Sequence, residues 1–161
     1  MPDHFIAPDG TSGASQSELD VLHGLIRTCK DGENGFRTAA DHVKDPTLRQ
    51  AFEQQSRDRA GFADELLEIA RREGAAFGNK GHFAGVLHFG WMNVKAAVLH
   101  SDQAILAECV RGENVAIRVY DEALQQVLSG DVRALVERQY LHLLDAHDFV
   151  RSFETVEPAN G

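Results

Sequence analysis

The chain has 161 residues, 43% of them hydrophobic and 25% charged, with a net charge of −9; this is the profile of one globular domain long enough to bury a core unaided. The acidity, with an isoelectric point near 5.3, argues against nucleic acid as a partner, because phosphates need a basic surface. Two cysteines without Cys-x-x-Cys spacing give neither a disulfide framework nor a zinc site, and the run from His82 to Leu99 holds too many polar residues to span a bilayer. No charged-then-apolar leader is recognisable, so the cytoplasm is the expected location and membrane attachment is not expected.

Residues 1–14 are rich in Gly, Pro and Ser without periodicity and read as a disordered tail; the domain is expected over 15–157. Ser15-Gln-Ser-Glu18 has the spacing of a capping box. From there Leu22, Leu25, Ile26, Cys29, Glu33, Phe36, Ala40 and Val43 recur every three or four residues, which predicts a helix over about 17–43. Asp45-Pro46 then supplies an N-cap and a proline at the first helical position. The second helix, about 46–73, has Leu48, Phe52, Gln55, Arg59, Phe62, Leu66 and Ile69 on its inward stripe and stops near Gly74. A connection of 26 residues follows, its later part (83–99) showing helical spacing. Ser101-Asp102 starts a helix over about 102–128, with Ile105, Cys109, Glu113, Ala116, Tyr120, Ala123 and Val127 inward. After the turn Ser129-Gly130-Asp131 the last helix, 131–156, carries Val132, Leu135, Gln139, His142, Ala146, Phe149 and Phe153.

Short turns make each helix pair an antiparallel hairpin, and a partly helical connection of this length can travel along a bundle. The expected fold is all-α: a ferritin-like four-helix bundle of two hairpins with a long crossover. A five-helix up-down array is the competing topology. An internal repeat supports the hairpins. Cys29-Lys-Asp-Gly-Glu-Asn34 returns as Cys109-Val-Arg-Gly-Glu-Asn114, and Arg49, Glu53 and Gln55 fall over Arg133, Glu137 and Gln139 at an offset of 84. Two matching hairpins imply a pseudo-twofold.

A glycine inside a helix costs roughly 1 kcal/mol against alanine and marks a close approach of another backbone. Gly32 and Gly112 are therefore expected where the first and third helices meet, with Glu33 and Glu113 beside them on the inward face. Counting from the turns puts Gln55 and Arg59 at the height of Glu33, and His142, Asp145 and His147 at the height of Glu113. Buried carboxylates need a cation, a metal or a shared proton. In a metal account, Glu33, Glu113, His142, Asp145 and His147 hold iron or manganese, as in di-iron bundles. Those sites use Glu-x-x-His, which this chain lacks; the nearest forms are Asp20-x-x-His23 and the reversed His142-x-x-Asp145. In a structural account, Arg59 pairs with Glu33, and Gln55, Gln139 and His142 complete a hydrogen-bonded layer. The structural account is preferred, because Arg59 in the layer repels a metal.

The hairpin from Leu25 to Leu66, with "CKDGENGFRTAA" and "RDRAGFADEL", together with "GVLHFGWMNVK" at 85–95 and "ILAECVRGENVAIRVYDEAL" at 105–124, resembles an uncharacterised bacterial family of ferritin-like four-helix-bundle proteins, a domain of unknown function. The resemblance spans about residues 17–153. It implies a bacterial, cytoplasmic ferritin-like bundle and no particular reaction. Of the wider superfamily's iron ligands only Glu33 and Glu113 correspond.

Cys29 and Cys109 face inward and read as small apolar residues, although the glycine contact leaves a redox pair conceivable. His88, Trp91, Phe83 and Phe89 can either line a pocket or cover the bundle; Tyr120 and Tyr140 read as core tyrosines. No nucleophile–base pair, phosphate loop or His-Glu-x-x-His is present. The sequence thus points to a non-enzymatic binding or assembly bundle with a structural polar layer, possible as a homodimer. The alternative is a di-iron or mononuclear metal protein for storage, sensing or oxidation.

Overall fold

The computed structural model describes residues 15–74 and 101–154. The expected N-terminal tail, the helix at 83–99 with His88 and Trp91, and residues 155–157 lie outside the described residues. Four helices make up the described part: α1 (Gln16–His42), α2 (Pro46–Arg72), α3 (Asp102–Leu124) and α4 (Gly130–Arg151). At ~1.5 Å per residue, α1 and α2, 27 residues each, are about 40 Å long. No described helix is long and apolar enough to cross a membrane.

Local chemistry explains the helix ends. Ser15 accepts from the Glu18 amide at 3.2 Å, and Asp45 accepts from Thr47 and Leu48 at 2.7 and 3.2 Å, with Pro46 just inside the helix. Ser101 caps α3 through the Ala104 amide. Gly74, at φ +84°, closes α2 in the left-handed region that a side chain would strain. The capping box at Ser15 is only half formed. The Glu18 side chain does not fold back; it reaches across the molecule to accept from the amide and hydroxyl of Ser129, at 2.8 and 2.7 Å. That capture starts α4 at Gly130, so α3 stops at Leu124 and residues 125–129 form the turn. Val127, expected inward on a longer α3, is 91% exposed in that turn. Phe149, also expected inward, is 49% exposed, and it stacks edge-on against Phe153.

Asp102 does at the opposite end what Glu18 does at the first. It accepts from the amides of Lys44 and Asp45 in the α1–α2 turn, the shortest contact being 2.8 Å. The guanidinium of Arg49 binds the Val43 carbonyl at 2.9 Å, and that of Arg133 binds the Gln126 carbonyl at 2.9 Å. Glu18 and Asp102, Asp45 and Ser129, and Arg49 and Arg133 are each 84 apart in sequence. The duplication is therefore visible in matching interactions, and the two hairpins are stapled to each other at both ends.

These contacts also fix the topology. α3 begins beside the α1–α2 turn while α2 ends at the other end, so the two hairpins are joined between opposite ends of the bundle. This is the one-crossover, ferritin-like connectivity. α1 packs against α2 and α3, and α4 against α3 and α2; α2 and α3 face each other only across the diagonal. The core divides in two. One cluster surrounds Leu25, Ile26, Phe62, Leu66, Tyr120 and Val136; the other surrounds Phe36, Phe52, Ile105, Leu106 and Val150. Burial of these side chains supplies the main driving force for folding, about 1.5–3 kcal/mol for each large one. A polar layer lies between the clusters.

Candidate functional site

The layer centres on Arg59 from α2 and Glu113 from α3. Both side chains are 1% exposed. One guanidinium nitrogen, Nη2, donates to both carboxylate oxygens at 2.6 Å. Because α2 and α3 are diagonal helices, this ion pair crosses the centre of the bundle and ties together two elements that otherwise make no close backbone contact. The Arg59 guanidinium sits between two aromatic rings, 6.0 Å from the centroid of Phe36 and 5.7 Å from that of Phe62, within cation–π range. Burial on its own would lower its pKa, but the charge and hydrogen bonds of Glu113 more than compensate, so the group stays protonated.

Gly32 makes room for this arrangement. A methyl group added there would meet Cγ and Cδ of Arg59 at 3.1 and 3.2 Å. The glycine is thus the slot through which the Arg59 side chain passes, and its neighbour is a side chain from α2 rather than the backbone of α3 that the sequence suggested.

The expected partner of Arg59 also changes. Glu33 does lie at the predicted height, since Ser56 donates to its carbonyl at 2.9 Å. Its side chain, however, turns out into the α1–α2 groove, where Lys30 and Arg37 pair with it at 3.2 and 2.6 Å. Glu33 therefore never meets Arg59 or Glu113. A groove of about 250 Å³ opens there, lined by Glu33, Arg37, Asp41, Glu53, Ser56 and Arg57 together with two alanines.

The remaining sequence-derived candidates are similarly dispersed. His142, with its side chain 46% exposed, contacts Asp58 at 3.2 Å and sets its ring edge-on to Phe62 at 5.0 Å. Asp145 is exposed. His147 points to Asp148, 3.3 Å away. Among the described residues no three His, Cys, Asp or Glu side chains come together to hold a metal ion. The physical reason is rotational: helix spacing fixes the height of a residue more securely than the direction in which it points.

A second buried network adjoins the ion pair. The Cys29 thiol lies 3.0 Å from the Tyr120 hydroxyl, which donates to Gln139 Oε1 at 2.8 Å. The Gln139 amide nitrogen in turn donates to the Phe62 carbonyl and to Glu65, at 3.3 and 2.8 Å. Because Tyr120 spends its proton on Gln139, the thiol must be the donor to Tyr120, and the chain runs one way from Cys29 to the solvent-facing carboxylate. Burial pushes the Cys29 thiol up to about 11 and lifts Tyr120 and Cys109 well above their usual values. All three are neutral and chemically quiet. The sequence had placed Tyr120 and Gln139 inward, yet nothing in their spacing named Cys29 as the third member.

The redox pair considered for the cysteines does not form. Both thiols are free and buried. The contacts Glu18–Ser129 and Cys29–Tyr120 set the antiparallel register of α1 and α3. In that register Cys109 is level with a point about nine residues beyond Cys29, roughly 14 Å along the axis. A disulfide needs α-carbons within about 7 Å.

No curated protein matches the chain. A Dps1 mutant from Mycobacterium smegmatis has a similar structure, with a TM-score of 0.71 at 18% identity, covering 88% of this chain and 100% of that one. At that identity the likeness concerns the fold, and it agrees with the ferritin-like connectivity read from the helices. The family model described as "Domain of unknown function (DUF2383)" matches residues 17–126, from the start of α1 to just past the end of α3. The chain is a ferritin-like four-helix bundle, and it belongs to the DUF2383 family.

Proposed function

We propose that this protein is a non-enzymatic bundle that works by binding or self-assembly, with its central polar layer serving to fix the packing. The observation that supports this reading most is the Arg59–Glu113 pair at the centre of the bundle. A carboxylate in that place requires a positive partner, and a guanidinium already supplies it. The other titratable candidates, Glu33, His142, Asp145 and His147, have surface or near-surface partners, or solvent, around them. The buried thiols and Tyr120 are held neutral, so among the described residues the centre offers no ready nucleophile or general base. Two buried free thiols suit a reducing compartment, and the proposed setting is the bacterial cytoplasm. The proposed partner is a second copy of the chain rather than nucleic acid, which the net charge of −9 would repel.

Native mass spectrometry of protein purified without chelator tests assembly and metal content in one spectrum. The reading expects an integral multiple of the chain mass without bound metal. A monomer carrying stoichiometric iron or manganese would replace it with the metal reading.

A further inference from the structure

We propose that the polar layer contains an internal hydration site, in which one buried water bridges the side chains of Gln55 and Arg59. The two residues are one turn apart on α2 and share its inward face, 5% and 1% exposed. Arg59 commits only Nη2 to Glu113. Its Nη1 and Nε, and the Oε1 of Gln55, are screened from solvent and have no hydrogen-bond partner among the described residues. Buried polar atoms are nearly always paired, so three orphans within one helical turn call for a ligand.

The surrounding chemistry selects which one. An anion would bring a net negative charge into the space beside Phe36 and Phe62, because Glu113 already neutralises Arg59. A cation would face the guanidinium N–H groups. What fits is a small neutral molecule with lone pairs for Arg59 and a hydrogen for Gln55, which is water. Such a water holds Nη1 in place while Nη2 stays on Glu113, so it acts as a positioning element for the diagonal ion pair. The inference is independent of whether the protein assembles.

The test combines a high-resolution crystal structure of the full chain with oxygen-17 relaxation dispersion, which counts long-lived internal waters. The expected results are a density peak about 2.7–3.2 Å from both Arg59 Nη1 and Gln55 Oε1, and the loss of one long-lived water in Gln55→Leu. Gln54→Leu, on the exposed face of the same helix, should keep that water. A direct Gln55–Arg59 hydrogen bond, an ion in the density, or a dispersion amplitude unchanged by Gln55→Leu would each overturn the proposal. If Gln55→Leu does not fold, the wild-type crystal structure decides alone.

Discussion

Removing Glu113 should be among the most damaging single changes available in this protein. Glu113→Ala leaves the Arg59 guanidinium charged and 1% exposed, with no other carboxylate paired to it among the described residues. Breaking a buried pair by deleting one partner typically costs about 3–5 kcal/mol. For a domain of this size, where 1 kcal/mol shifts the midpoint by about 2–4 °C, that corresponds to a fall of roughly 6–20 °C in Tm. Arg59→Met should cost a similar amount, now by stranding the carboxylate. The double variant Arg59→Met/Glu113→Leu is the informative one. It strands no charge and lets the two apolar clusters meet, so it should return to within ~1 kcal/mol of wild type or exceed it. Urea unfolding followed by circular dichroism of wild type, Arg59→Met, Glu113→Leu and the double variant measures all four corners of the cycle, and a coupling of about 3 kcal/mol or more is expected. Single variants within ~1 kcal/mol of wild type, with no coupling, would refute the reasoning that the pair is the organising contact of the layer.

Gly32→Ala gains helix propensity worth about 1 kcal/mol, but its methyl group would press on Arg59 at 3.1 Å, against a side chain held by Glu113 and two rings. Overpacking of this kind costs about 1–3 kcal/mol, so a net loss of stability by denaturant titration is expected, and a clear gain would show that Arg59 moves freely. Both cysteines should resist a thiol reagent in the native protein and react together only on unfolding, and mild oxidants should produce no intramolecular Cys29–Cys109 crosslink in mass spectra. Burial pushes the Asp31 carboxyl up from 3.8 to about 7, with Arg27 partly opposing it. The folded state therefore holds this proton more tightly than the unfolded chain, and stability falls as pH rises between about 4 and 7. Asp31→Asn should flatten the Tm profile across that window and raise Tm relative to wild type at pH 8; an unchanged profile would contradict the assignment.

Much of the fold could be read from the sequence because it depends on local signals. The apolar period gives four helices, and Ser15, Asp45-Pro46 and Ser101 give three starts that the structure reproduces. The end of α3 was not legible, because Val127 and Leu128 continue the apolar pattern while the decisive contact comes from Glu18, 111 residues earlier in the chain. The polar layer was read in part. Spacing placed Glu33, Arg59 and Glu113 at one height, but it could not say which glutamate faces the arginine. The repeat made the two glutamates look equivalent. Between the end staples and the repeated cysteine, however, α1 runs from Glu18 to Cys29 and α3 only from Asp102 to Cys109, a difference of four residues. Four residues move the repeated cysteine by about one turn, ~6 Å along the axis, relative to the end staple, so equivalent positions in the two hairpins meet different neighbours. Glu113 thus points to the core and Glu33 to the groove.

The central claim is that a guanidinium, and not a metal, neutralises the carboxylate in the middle of the bundle. Elemental analysis of chelator-free protein, followed by anaerobic titration with ferrous iron and with manganese, tests it most directly. The account predicts well under one metal per chain and the same weak binding in wild type and Glu113→Gln. Stoichiometric metal in the wild type that disappears in Glu113→Gln would contradict it.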